Sequence, residues 1–325
     1  GVQVIEPATG LPAVTDSFTA LDATTQQGAS CVAGARTLQV QLDGSNAGVN
    51  EQGISIDASD AIIRGFAIGE FSEQGIHGSA NADNLVVACN NVGLAADGST
   101  LATNGLHGIW IEDATNITIG GSTDTERNIV SGNTRHGINL DGVNGATVQF
   151  NYVGTDESGD SARTNNNEGA QYGGVAVIAS AANVDILDNL ISGNDKTSGT
   201  STINTTSGIY LYAADTINIK RNLIGTQADG LAGLANSGSG IYSFNTNNIV
   251  VGGSVADRNV ISGNGEDGIK TAFGTDILSI LSNYIGVNIN GTAKLANADN
   301  GVFLANTANA IIGDGTVAGR NVIAG

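Results

Sequence analysis

The sequence predicts an all-β solenoid of about nine coils, in which loops of variable length join short strands. Two phrases alternate along the chain, "NIVSGN" with its variants and "NYVGT" with its variants. Each phrase recurs after 61 or 62 residues, or after 70 or 71 where an extra insertion falls. Such repetition is typical of a stack in which each coil buries its apolar face on its neighbours, while turns absorb the insertions.

Composition agrees with this fold class. The 325 residues include 47 glycines and only 2 prolines, and the apolar residues are mostly Ala, Val, Ile and Leu. Small and β-branched side chains suit a narrow, repetitive β core. No stretch keeps the helical period for more than about two turns.

The first strand of each coil follows from a recurring Gly-Ile or Gly-Val step. Because side chains alternate in a strand, the residue after each glycine points into the core, and so does the residue two positions later. Gly78, Ser243 and Thr271 are the weaker members of the second inner column. The first inner column contains Ile54, Ile76, Ile109, Ile138, Val175, Ile209, Ile241, Ile269 and Val302.

Two further strands complete each coil. Segments such as "NITIGG", "ATVQF", "TINIK" and "NIVVGG" predict the second strand, and the "NVIS" and "NYIG" phrases predict a short third one. An asparagine begins each of these phrases, and stacked asparagines at one turn can bond to each other through their side-chain amides. We therefore interpret this column as a structural ladder. It contains Asn90, Asn128, Asn151, Asn189, Asn222, Asn259, Asn283 and Asn321.

The chain resembles the secreted bacterial β-helix repeat proteins that carry "NVISGN…GI" and "NxIGT…G" units. This resemblance implies a single-stranded right-handed parallel β-helix of the pectate-lyase-like type, with loop insertions. Residues 1–52 are then expected to form an N-terminal cap segment with the first partial coils, and residues 53–325 the helix repeats, which would continue beyond residue 325. It also implies an extracellular or cell-surface location.

Charge restricts the partners. The net charge is −19, with 12 Lys and Arg in total. This disfavours nucleic acid, which binds through basic side chains, and it disfavours anionic membranes or polyuronates unless a cation bridges. No run is long enough for a membrane helix, so we expect no membrane insertion of this segment. Cys31 and Cys89 are the only cysteines, and a disulfide that ties the N-terminal segment to an early coil is one interpretation.

The outward side chains of the Gly-Ile strands form two rows that hold four aromatic residues on two successive coils. Tyr210, Tyr212, Tyr242 and Phe244 are predicted to form a platform. A loop, either 191–207 or 226–239, could cover it as a satellite core. Alternatively, the platform contacts another protein laterally, or its flat rings stack on a glycan. The first row is Ser55, His77, Trp110, Asn139, Ala176, Tyr210, Tyr242, Lys270 and Phe303, and the second adds Asp57, Glu112, Asp141, Ile178, Tyr212, Phe244 and Ala272.

The same face holds all three histidines. His107 and His136 precede the glycine in successive coils, and His77 lies in the first outward row. Trp110, Arg135, Glu112, Asn139 and Asp141 are predicted nearby, so that a histidine beside a carboxylate could act as a general acid or base. Solvated polar side chains on an outer strand are the simpler interpretation.

No motif in the sequence is specific enough to assign a residue to catalysis, to a cofactor or to a metal. "TDESGD" places alternating oxygen ligands at Asp156, Ser158 and Asp160, which allows a calcium site, but the loop lacks the glycine and the distal glutamate of a full calcium loop. Arg127, Arg258 and Arg320 recur at equivalent positions of the repeat, which indicates scaffold use. The GxSxG, HExxH and P-loop motifs are absent from the sequence.

Two function classes follow. The first is a non-catalytic structural or adhesive module of a larger surface protein or filament, whose partners are other copies or further modules of that protein. The alternative is a polysaccharide-active enzyme, a lyase or an epimerase, or a glycan-binding module that uses the outer strand face. Clustered, non-repeating polar residues on one face would favour the alternative.

Overall fold

The computed structural model describes residues 1–32, 34–165, 172–195 and 206–324. Almost all regular structure is β, and the strands form three parallel sheets of 11, 9 and 10 strands. Each strand pairs with the equivalent strands of the coils before and after it. The chain is therefore a right-handed parallel β-helix, as predicted. No helix in these ranges is long and apolar enough to cross a membrane.

The first sheet contains the short strands of the "NVIS" and "NYIG" phrases. Its N-terminal strands come from the 1–52 segment, so that this segment continues the stack. In order, the strands are Gln3–Ile5, Val40–Asp43, Phe66–Gly69, Asn91–Val92, Ile129–Val130, Tyr152–Val153, Leu190–Ile191, Leu223–Ile224, Val260–Ile261, Tyr284–Ile285 and Val322–Ile323.

The second sheet contains the nine Gly-Ile or Gly-Val strands. They are Ile54–Ile56, Ile76–Gly78, Ile109–Glu112, Ile138–Asp141, Tyr172–Ile178, Thr206–Tyr212, Ile241–Phe244, Ile269–Ala272 and Val302–Leu304.

The third sheet follows the second in each coil. Its strands are Ala20–Asp22, Ile62–Arg64, Val86–Ala88, Thr115–Gly120, Asn144–Gln149, Ala182–Leu187, Asp215–Lys220, Asn247–Gly252, Thr275–Leu281 and Thr307–Ile312.

The register of the second sheet confirms the predicted inner columns. The residues that follow the glycines pair with each other from coil to coil, and all but Val302 are at most 5% exposed. Ser243 and Thr271, the weaker members of the second inner column, are buried too. Their hydroxyl groups pair with Thr275 at 3.0 Å and with Thr307 at 2.5 Å, so that each of these two hydroxyls has a partner.

The predicted asparagine ladder is confirmed. From Asn90 to Asn321, each side-chain Nδ2 donates to the Oδ1 of the next asparagine, at 2.9 to 3.2 Å. Each Oδ1 also accepts a hydrogen bond from the backbone N–H of the preceding asparagine. The ladder therefore satisfies turn groups that face away from solvent.

A second buried asparagine ladder was not predicted. Its side-chain amides bond at 2.9 to 3.0 Å from one coil to the next. This ladder lies at the opposite end of the first-sheet strands from the first ladder, where the chain turns towards the second sheet. Its members are Asn104, Asn133, Asn165, Asn194, Asn236, Asn264 and Asn297.

Loops carry the variation between coils. Short 3₁₀ helices at Asp124–Glu126 and Val255–Asp257 occupy the extra "GGSTDTER" and "GGSVADR" insertions, and two others lie at Ala23–Thr25 and Gly44–Asn46. Cys31 and Cys89 form a disulfide with their Cα atoms 5.9 Å apart. This bond ties the N-terminal segment to an early coil, as one interpretation of the sequence expected.

Candidate functional site

The outer face of the second sheet has the two rows that side-chain alternation predicts. Trp110 is in register with His77 and Asn139, and Tyr210 with Ala176 and Tyr242. In the second row, the register aligns Glu112, Asp141, Ile178, Tyr212, Phe244 and Ala272.

The predicted aromatic platform is assembled on two neighbouring strands. The ring centroids of Tyr210 and Tyr242 are 5.9 Å apart, and those of Tyr212 and Phe244 are 5.5 Å apart. Tyr210 and Tyr212 also stack, at 6.4 Å. Phe273, which the sequence analysis did not single out, extends the platform with its ring 5.6 Å from Phe244. Tyr212 is 43% exposed and Phe273 64% exposed, so the platform is open at this edge.

The histidine patch forms a second ring stack. The ring of His77 lies 4.8 Å from Trp110, and the ring of Trp110 lies 5.9 Å from His107. His107 and His136 stack with their planes within 11° and their centroids 5.1 Å apart. The residues that precede the glycines therefore join the outward row of the strands.

The histidine patch and the tyrosine platform, which were predicted as separate patches, form one surface. His136 stacks on Tyr210 at 6.3 Å and joins the histidine patch to the tyrosine platform. We call the resulting surface the ring track. It extends over seven neighbouring strands, which corresponds to about 29 Å at the usual strand spacing. It contains His77, His107, Trp110, His136, Tyr210, Tyr212, Tyr242, Phe244 and Phe273.

Of the two loops predicted as possible covers of the aromatic platform, 226–239 lies entirely within the described residues. The 226–239 loop begins as a hairpin, with a bridge between Thr226 and Gly233. Hydrogen bonds from Gln227 and Ala228 attach this hairpin to the 155–162 hairpin of an earlier coil, at Asp160 and Gly159. The other loop, 191–207, lies in large part outside the described residues, which end at 195 and resume at 206.

Burial sets the charge of two of the histidines. It lowers the pKa of His107 to about 2, with a further contribution from the neighbouring His136 and Arg135. Burial also lowers the pKa of His136 to about 4. Nδ1 of His136 lies 2.9 Å from the backbone nitrogen of Gly173 and 3.2 Å from the carbonyl oxygen of the same residue. Both rings are therefore neutral near pH 7, which makes them stacking partners and poor general acids.

The third histidine has a different environment. His77 Nε2 lies 3.0 Å from a carboxylate oxygen of Glu112, and the side chain of Glu112 is 41% exposed. Asp141 is in register with Glu112, and burial, followed by repulsion from Glu112 and Asp113, raises its pKa. This end of the track therefore combines an imidazole, an indole and several carboxylates at the surface.

The phenols of Tyr210 and Tyr242 stay neutral. Burial raises the pKa of Tyr210 to about 12, and the neighbouring Tyr242 and Tyr212 add to the shift. Burial also raises the pKa of Tyr242. These two tyrosines thus offer aromatic faces and hydroxyl groups without charge.

The remaining candidates have structural contacts. Arg127 and Arg258 each lie 4.0 Å above a tyrosine ring of the next first-sheet strand, Tyr152 and Tyr284. This agrees with the scaffold use expected from their recurrence. The carboxylate of Asp156 accepts hydrogen bonds from Ser158 Oγ and from the Gly159 N–H, at 2.6 and 3.1 Å. In the part of the chain that the structure describes, no three His, Cys, Asp or Glu side chains are grouped to hold a metal; calcium binding stays a prediction.

Comparison with known proteins supports the fold. No family model and no curated protein matches the chain. Among solved structures, a mutant of the periplasmic alginate epimerase AlgG is similar, with a TM-score of 0.53 and 14% identity over 87% of this chain and 58% of that chain. This chain thus spans less than two thirds of that epimerase, and the likeness shows the parallel β-helix fold.

Two further structures are more distantly similar. The A-module of the Azotobacter vinelandii mannuronan C-5 epimerase AlgE4 matches with a TM-score of 0.35 and 13% identity, over 100% of this chain and 91% of that chain. A polygalacturonase from Erwinia carotovora ssp. carotovora matches with a TM-score of 0.33 and 12% identity, over 94% and 97%.

Proposed function

We propose that the protein binds a polysaccharide along the ring track. The observation that carries this proposal is the continuous stack of rings on one outer face, which includes open edges at Tyr212 and Phe273. Exposed and half-buried aromatic groups that lie side by side on a soluble protein often mark a contact with a partner. Flat rings suit the apolar faces of sugar units, and neutral phenols add hydroxyl groups for hydrogen bonding.

The shape of the track favours a polymer over a small molecule. The rings follow one another along the axis of the coils, so an extended chain can contact several of the exposed and half-buried ones at once. The similar solved structure is described as an alginate epimerase. It supports the proposal in one respect, since a β-helix of this kind can act on a polysaccharide.

The proposed binding fits an exported module. The Cys31–Cys89 disulfide supports an oxidising compartment, outside the cytoplasm. A β-helix that presents a glycan-binding face at the cell surface would act as an adhesive part of a larger protein. This combines the structural interpretation of the repeats with the glycan-binding alternative.

The proposal is tested by measuring the glycan affinity of variants that lack rings of the track, which we call ring variants. A panel of neutral, amino-bearing and uronate polysaccharides is first screened, and the affinity of the best ligand is then measured by calorimetry. Two stacking rings are worth about 2 kcal/mol, so Tyr210→Ala with Tyr242→Ala should weaken binding roughly 30-fold. Tyr242→Phe keeps the ring and should retain most of the affinity.

A matched control uses an aromatic residue outside the track. Phe18 is 80% exposed on the N-terminal segment, so Phe18→Ala removes a comparable exposed ring. We expect its affinity to equal that of the unmodified protein. Unchanged binding by the Tyr210→Ala/Tyr242→Ala variant would exclude the track as the binding face.

A second candidate function, acid–base chemistry on the bound polysaccharide, is favoured by the His77–Glu112 contact of 3.0 Å beside Trp110. His77 and Glu112 would exchange a proton with a sugar carbon or a glycosidic oxygen, as a lyase or an epimerase requires. His77→Gln should then abolish turnover of a panel polysaccharide while binding persists. Equal turnover by His77→Gln and the unmodified protein would exclude this role.

A further inference from the structure

One end of the ring track is bordered by a group of carboxylates, which we call the acidic edge: Glu112, Asp113 and Asp141. Glu112 and Asp141 are register neighbours on adjacent strands. The backbone N–H of Asp113 donates to the carbonyl oxygen of Asp141 at 2.8 Å, so the three residues belong to one short stretch of surface. Their side chains are exposed or half-buried, which leaves them accessible to a ligand on the track.

Among the described residues, one of these three carboxylates forms an ion pair. Glu112 has its contact with His77, but neither Asp113 nor Asp141 forms an ion pair with a described residue. Lys270, in the same outward row as Trp110, lies at the far end of the track, where Glu266 and Asp267 already hold it at 3.2 and 3.7 Å. Burial, followed by repulsion from Glu112 and Asp113, raises the pKa of Asp141.

An unsatisfied acceptor lies on the same face. Asn139 is two residues before Asp141, so both side chains point out of the second sheet. Asn139 is only 3% exposed, and its Oδ1 atom has no hydrogen-bond partner among the described residues. A buried acceptor of this kind normally has a partner, because leaving it alone costs free energy. The amide oxygen of Asn139 therefore lacks a donor beside carboxylates that carry negative charge.

We propose that the polysaccharide carries free amino groups, and that the acidic edge together with Asn139 receives the ammonium of a hexosamine unit whose ring stacks on Trp110. This inference rests on the proposed function, which it narrows to one class of polysaccharide. An ammonium group supplies three N–H donors and a positive charge, which matches the carboxylates of the acidic edge and the amide oxygen of Asn139. The net charge of −19 would also attract a polycation and repel a polyuronate.

The test compares two oligosaccharides that differ only at the amine. The probes are a β-1,4-linked glucosamine oligomer and its fully N-acetylated counterpart of equal length, titrated calorimetrically at low and high salt. We expect the glucosamine oligomer to bind at least about fivefold more tightly, and we expect salt to reduce this difference, because exposed ion pairs are screened. Equal affinities for the two oligomers would overturn the inference.

Variants that remove a carboxylate charge test whether the acidic edge causes the preference for the amine. Glu112→Gln with Asp141→Asn keeps the shape of both side chains and should remove most of the preference for the amine. Asp113→Asn, at an exposed position, should reduce it by roughly two- to fivefold without a risk to folding. The matched control, Glu6→Gln with Asp160→Asn, removes two exposed carboxylates outside the track and should leave the preference unchanged.

Other outcomes separate this inference from the proposed function. Tighter binding of a polyuronate in the presence of calcium would overturn the inference, since the edge would then hold a bridging cation. If the ring variants weaken binding while the acidic-edge variants do not, the inference fails and the proposed function stands. If neither set of variants changes binding of any probe, both fail.

Discussion

A single substitution in the asparagine ladder should destabilise the whole helix measurably. Asn222 is fully buried, and its amide makes five hydrogen bonds. Its Oδ1 accepts from the backbone N–H and from Nδ2 of Asn189, at 2.9 and 3.0 Å. Its Nδ2 donates to the carbonyls of Ile186 and Lys220 and to Oδ1 of Asn259. Asn222→Ala therefore removes all five of these hydrogen bonds.

The size of the loss follows from these contacts. An intramolecular hydrogen bond contributes about 0.5 to 1.5 kcal/mol, and a buried donor left without an acceptor costs about 1 to 3 kcal/mol. The N–H of Asn189 becomes such a donor. We therefore expect the free energy of unfolding to fall by at least about 3 kcal/mol.

Urea denaturation followed by circular dichroism measures this change, from the shift of the midpoint at an unchanged slope. Asn218→Ala is the matched control, because this half-buried amide on the outer face of the third sheet makes one side-chain hydrogen bond, to Asp185 at 2.8 Å. The control should cost less than about 1 kcal/mol. If Asn222→Ala were no more destabilising than Asn218→Ala, the ladder would not contribute to stability as argued here.

Three further predictions concern the disulfide, the buried histidines and the phenols. Cys31→Ala with Cys89→Ala should lower the free energy of unfolding by about 4 kcal/mol in a calorimetric or urea experiment, because the disulfide spans 58 residues and restricts the unfolded chain; an unchanged stability would contradict this. His107 and His136 have pKa values lowered from 6.5 to about 2 and about 4, so below pH 6.5 the unfolded state takes up protons that the folded state does not. The free energy of unfolding should therefore fall as the pH drops from 6.5 towards 4, by about 2 kcal/mol per histidine at pH 5 relative to pH 7. His136→Gln should flatten the curve of urea midpoint against pH. Equal curves for this variant and the unmodified protein would refute the lowered pKa of His136. In an ultraviolet titration, Tyr210 should ionise near pH 12, so that Tyr210→Phe removes the last part of the tyrosine transition; removal of an earlier part would contradict its burial.

Much of the fold could be predicted because each coil repeats the same pattern. The aliphatic residue after each glycine and the asparagine of each phrase recur at fixed places, so period-two alternation assigns their faces directly. The second ladder shows the limit of this reasoning. Its Asn133 lies within the repeated "NIVSGN" phrase, but its partner Asn165 follows a hairpin in a coil of different length. The sequence spacing therefore hides the spatial repeat, although two asparagines in each phrase are a signal that could have indicated it.

The candidate site was predictable residue by residue but not as one surface. Alternation identified Trp110, Tyr210 and Tyr242 as outward side chains, and the register of the second sheet aligns them in one outward row. His107 and His136 precede the strands, where alternation no longer fixes the direction of a side chain, and the structure brings them into line with the outward rows. Their stacking joins the two predicted patches. Burial could not be predicted either, since Asn139 and Ala176 point outward and are at most 3% exposed.

The central claim, that a polysaccharide lies along the ring track, is tested most directly by the fluorescence of Trp110. Trp110 is the only tryptophan of the chain and part of the track, so its emission reports on this surface without labelling. Titration with the best polysaccharide of the panel should change the emission saturably, with the same Kd as calorimetry gives. The change should require a higher ligand concentration in the Tyr210→Ala/Tyr242→Ala variant. Calorimetric binding that leaves the Trp110 emission unchanged would contradict the account.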